Sequence, residues 1–128
     1  MRTRSIAIGG LIAVSVFWMG LQLGAEQSVK SENAAAMVEA AKGALRATMA
    51  SQEAGRATIE DVYQWSRRLM TAEALAGKAD AGADHFDRMG TLHQKAAALY
   101  KKGAKGGSEE KYYASKFYLL EAQNNDAK

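Results

Sequence analysis

Three residues of this 128-residue chain could hold a soft metal ion on one helical face. His85, Met89 and His93 recur at intervals of four, and two imidazoles with a thioether form a ligand set that copper accepts. Asp84 and Asp87 place carboxylates beside them. The same positions also suit plain packing, because Phe86 and Met89 lie beside an apolar seam described below and His93 falls on it. The sequence is therefore read as holding no cofactor and no metal, with His85, Met89 and His93 as the alternative, a metal- or ligand-binding bundle.

Other chemistry has less to stand on. The chain contains no phosphate-cradling G-x-x-x-x-G-K-[ST] loop, no H-E-x-x-H zinc pair and no G-x-S-x-G nucleophile elbow. The acid pairs Glu60-Asp61 and Glu109-Glu110 stand at expected helix starts, where capping and the helix dipole account for them. No catalytic residue is assigned, and the protein is not expected to be an enzyme. Arg67 and Arg68, beside Tyr63 and Trp65, could meet a lipid head group or a carboxylate, but consecutive arginines point in different directions and read as a solvated face. Tyr112, Tyr113, Phe117 and Tyr118 cover more than one helical face, so a single partner helix leaves aromatic surface over. Tyr113, Phe117 and Tyr118 are the expected interaction surface.

The composition suits helices that position such residues. Proline and cysteine are both absent, and 48% of residues are hydrophobic, many of them alanine. Without cysteine there is no disulfide, thiolate metal site, cysteine nucleophile or acylated cysteine. There are 17 Lys and Arg against 14 Asp and Glu. With Arg2 and Arg4 set aside the remainder is nearly neutral, at about +1, which argues against nucleic acid as a partner.

Those two arginines precede an uncharged stretch from Ile6 to Ala25. Positive charge ahead of an apolar run keeps the amino end in the cytoplasm while the rest crosses. Residues 1–25 are thus either a signal peptide, cleaved after Ala25, or an N-terminal membrane anchor. Gly20 and Gly24 would let two anchors pack closely, or would loosen the segment before cleavage. Either way the body is exported, being periplasmic or anchored to the inner membrane outside the cytoplasm.

Residues 26–33 are polar and without periodicity and read as a short linker or the frayed start of a helix. A helix over about 34–54 follows, with Met37, Ala41, Ala44, Leu45, Thr48 and Met49 on one face. Gly55 stops it, and Thr58 with Asp61 starts the next. Alternating steps of three and four from Val62 through Trp65, Leu69, Ala72, Ala76, Ala79, Ala83, Phe86, Gly90, His93 and Ala97 to Tyr100 trace one seam. The seam predicts a single helix over 59–102, roughly 65 Å long at about 1.5 Å per residue. Gly77, Gly82 and Gly90 mark where it would bend or break. Gly103 ends it, and Ser108 caps a last helix over 109–123, before a polar tail at 124–128. Thr58, Glu60, Leu69 and Ala72 recur fifty residues on as Ser108, Glu110, Leu119 and Ala122, a faint internal repeat.

The expected fold is all-α: an elongated antiparallel helical hairpin or coiled coil of three helices with a long central one, after a hydrophobic leader helix. The first helix should pack on the first half of the central helix and the last on its second half, giving a thin body. Gln52 to Glu73, through Gly55, Thr58, Asp61, Val62 and Leu69, resembles the helical hairpin of TolC-type outer-membrane efflux proteins, although the chain is too short for half a channel protomer and lacks barrel strands. The runs W-S-R-R-L at Trp65–Leu69 and H-x-x-R-M at His85–Met89 are similar to those on one long helix of small exported bacterial proteins of unassigned function. That likeness implies a fold and no activity. The expected role is a structural or protein-interaction module of the cell envelope. Its partners would be itself or another envelope helical protein, with inner-membrane contact if the leader is retained.

Overall fold

The computed structural model describes residues 11–126, with side chains from 31 to 125. Arg2 and Arg4 lie outside the described residues, and only the backbone is described at Gly20 and Gly24, so the leader reading falls outside what the structure addresses. Among the described residues no helix is long and apolar enough to cross a membrane. These residues form four helices: α1 (Leu11–Glu53), α2 (Ile59–Leu75), α3 (Ala81–Lys101) and α4 (Glu109–Asp126). The chain divides into two compact units, Met1–Asn33 and Ala34–Lys128. In the first, helix α1 runs without interruption through residues 26–33, where the sequence reads a linker or a frayed helix start.

In the second unit the most consequential difference is that the long central helix is two helices. Gly77 has φ 93°, a left-handed conformation that residues with a Cβ resist. Its N–H donates to Ala74 O at 3.0 Å and that of Lys78 to Glu73 O at 2.9 Å, the paired bonds of a Schellman termination. Gly55 closes α1 and Gly103 closes α3 in the same way, with φ 78° and 61°. Lys78 then bridges the reversal, its Nζ 2.7 Å from Asp84 and 3.4 Å from Glu73.

The break resets the phase of everything after it. In α2 the seam residues Val62, Leu69 and Ala72 are buried as the spacing predicts, while Trp65 is only half-buried. In α3 the buried set is Ala81, His85, Met89, Leu92 and Ala96, one position before the predicted Gly90, His93 and Ala97. Ala76 and Ala79, which carry the count across the gap, are exposed. In α1 the inward face is Ala34, Val38, Ala41 and Leu45, while Met37 and Met49 are 42% and 37% exposed.

Start signals hold the other two helices. Thr58 Oγ accepts the Asp61 N–H at 3.1 Å while the Asp61 carboxylate accepts the Thr58 N–H at 2.9 Å, a complete capping box for α2. Ser108 Oγ accepts the Lys111 N–H at 3.1 Å at the head of α4.

With the central helix folded back on itself, the second unit is a bundle rather than a rod. Helix α3 packs against both α2 and α4, and α4 also touches α2. Leu119 lies over Gly90 and Ser115 over His93, so α3 and α4 run antiparallel. Ile59, Val62, Leu69, Met89, Leu92 and Ala122 share one apolar core with Ala41 and Leu45 of α1.

Candidate functional site

Two polar clusters, each built on one histidine of α3, interrupt this core. The first surrounds His85, whose side chain is fully buried. Its Nδ1 lies 2.8 Å from Ser66 Oγ on α2. Arg88, one turn further along α3, donates its Nε–H to the same Oγ at 2.7 Å and an Nη2 hydrogen to Ser66 O at 3.2 Å. Because Arg88 can only donate, Ser66 Oγ accepts from it and has its own proton to give to His85 Nδ1. The ring proton then sits on Nε2, which is buried without a partner among the described residues.

The environment keeps that ring neutral. Burial, reinforced by Arg88 and Arg67 and opposed by Glu121, lowers the His85 pKa to about 4 from 6.5. Glu121 enters through Tyr63, whose hydroxyl donates to the Glu121 carboxylate and accepts from Arg67 Nη1 at 3.2 Å. Tyr63 lies tilted beside His85 and stacks on Tyr118 of α4, ring centres 4.1 Å apart and planes 8° apart.

The second cluster repeats these parts two helical turns along α3. His93 Nδ1 lies 2.9 Å from Ser115 Oγ on α4, and the Tyr112 ring sits 5.2 Å from the imidazole. Here the Ser115 hydroxyl donates to Tyr112 O at 3.0 Å, so His93 Nδ1 must be the donor and the tautomer is the opposite one. Burial first, then Lys116 and Lys101, lowers the His93 pKa.

The structure thus puts His85, Met89 and His93 on one face of α3, with His85 and Met89 wholly inside. Both imidazoles direct Nδ1 to a serine. Asp84 is engaged by Lys78, and Asp87 is exposed. Among the described residues no group of three or more His, Cys, Asp or Glu could hold a metal ion. Of the aromatic positions singled out on α4, Tyr113 and Phe117 are 57% and 61% exposed, whereas Tyr118 is turned onto Tyr63. Leu120, 51% exposed, extends the outer face instead. Arg68 lies over the Trp65 ring at 4.6 Å.

Compared with known proteins, the chain matches no family model, no curated protein and no solved structure.

Sequence reasoning did not select Ser66, Ser115, Arg88 or Glu121. A signal for the serines was present: Tyr63-x-x-Ser66-Arg67 recurs as Tyr112-x-x-Ser115-Lys116, one residue out of register with the fifty-residue repeat. Chemically the first cluster pairs a serine hydroxyl with a neutral imidazole, but among the described residues no third group orients His85 Nε2, and both side chains are fully buried. The arrangement locks α2, α3 and α4 together, which fixes the outer surface of α4.

Proposed function

We propose that this protein is a structural and interaction module of the cell envelope, carried outside the cytoplasm by its N-terminal segment, and that it associates with a second copy of itself through α4. The supporting observation is a stripe of three large apolar side chains, Tyr113, Phe117 and Leu120, each more than half exposed. Their spacing of four and three puts them on one helical face, the pattern by which a helix is laid against a partner. The core does not need them, because the inner face of α4 is already filled by Ser115, Leu119 and Ala122. The leader, with Arg2 and Arg4 ahead of its apolar run, supports export.

Light scattering across a concentration series tests the reading. The purified chain is expected to form dimers or larger species, and replacing both Tyr113 and Phe117 by glutamate is expected to return it to monomers without loss of helix. A wild-type chain that stays monomeric at high concentration would sink the proposal.

A further inference from the structure

We infer that a cleft between α1, α2 and α3 is a binding site for a small monocarboxylate with an apolar body. The cleft has a volume of about 200 Å³. Leu45 and Met49 of α1, Val62 of α2 and Leu92 of α3 give it apolar walls, and Ser66 and Arg88, with Gln52 and Thr91, bring neutral and cationic polar groups. An apolar cavity of about 150 Å³ accommodates a benzene ring, so this one takes roughly eight apolar non-hydrogen atoms.

Arg88 decides the charge of the ligand. Its guanidinium is half-buried and, among the described residues, forms no ion pair. Glu73, Asp84 and Asp87 act on it only from a distance, and burial is the larger influence, pulling its pKa down. Two of its five N–H donors go to Ser66, which fixes the plane of the group and leaves the rest for another acceptor. A partly buried cation with no carboxylate in direct contact is costly, and a planar carboxylate matches the guanidinium fork. The remaining charges lining the cleft, Glu53 and Lys95, are exposed and oppose each other. Apolar walls with one oriented guanidinium that no carboxylate touches therefore select an anion that carries a hydrocarbon body, over a neutral or cationic molecule of the same shape.

Octanoate is a suitable probe, titrated calorimetrically into the full chain in lipid nanodiscs, with empty nanodiscs as reference and octanol and octylammonium as matched comparisons. Saturable one-to-one binding of octanoate is expected, with octanol at least about tenfold weaker, the loss that follows from a missing charge-assisted hydrogen bond. Arg88→Gln is expected to remove the preference for octanoate over octanol. Met49→Trp, which leaves Arg88 and its bonds to Ser66 in place, is expected to block both by filling the cleft. It keeps the test decisive should Arg88→Gln fail to fold. No saturable binding of octanoate, equal binding of octanoate and octanol, or binding unchanged by Met49→Trp would each overturn the inference.

Discussion

Acid should weaken this fold through His85, and by an amount the structure sets. In the unfolded chain the imidazole titrates near 6.5, and in the folded chain near 4. Between those values the unfolded chain holds a proton that the folded chain does not, so stability falls as the pH falls. The contribution is fully present above about pH 6.5 and disappears by about pH 4. At about 1.4 kcal/mol per unit the whole effect is about 3 kcal/mol, of which about 2 kcal/mol is gone by roughly pH 5. The groups that face the ring are Ser66, Tyr63 and Arg67 from α2, Arg88 from α3 and Glu121 from α4. Asp61 and Asp84, whose pKa values are lowered from 3.8 by the Thr58 and Lys78 hydrogen bonds respectively, act mainly below this window. His93 shifts in the same direction as His85, so the comparison belongs in a His93→Gln background. Urea unfolding at about pH 7 and about pH 5, with His85 present or replaced by glutamine, isolates the effect. The chain that keeps His85 should lose about 2 kcal/mol more than the glutamine variant. Equal losses in the two chains would show that His85 is not held neutral by its surroundings, and the account of the first cluster would fail.

Two further outcomes follow from the core and its turns. Met89 is wholly buried between the two clusters, so Met89→Ala should cost about 2–5 kcal/mol by urea unfolding, with no gain from metal ions added to the wild type. A Cβ at Gly107 would stand 2.6 Å from the Leu99 carbonyl oxygen, so Gly107→Ala should lower the thermal midpoint by displacing the α3–α4 turn, at a cost of about 1–3 kcal/mol.

Helical class, the turns at Gly55 and Gly103, and the capping residues Thr58, Asp61 and Ser108 were legible because each is a local signal with a direct backbone cause. The break at Gly77 has the same cause, and Gly77 stands among the glycines that mark a bend or break, yet the apolar count runs across it. Alanine at positions 76, 79 and 83 satisfies a seam on paper but buries too little surface to enforce one, and Ala76 and Ala79 end up in solvent. A continuous helix puts the phase of α3 out by one residue, and His85, which the count leaves off the seam, lies on the buried face. The polar clusters could not be read in full for a different reason. Ser66 meets Arg88 across 22 positions and Tyr63 meets Glu121 across 58, so the pairings depend on how the helices lie together and not on any one helix. The outward direction of Tyr113 and Phe117 was readable from aromatic surplus. The inward turn of Tyr118 required knowing that Tyr63 awaited it.

The reversal at Gly77 also bears on how the body assembles in time. By setting α2 beside α3, it turns what would be distant pairings along a rod into pairings between neighbours in the chain, and α3 with α4 repeats the arrangement. Chains whose contacts join nearby segments fold quickly, on the microsecond to millisecond scale for helical bundles. The meeting of Tyr63 with Tyr118 and Glu121 encloses two whole reversals and is the longest loop to shut among these contacts. Helix α4 therefore gains its α2 contacts late, and a newly made chain would display its outer aromatic stripe in final form only after that closure.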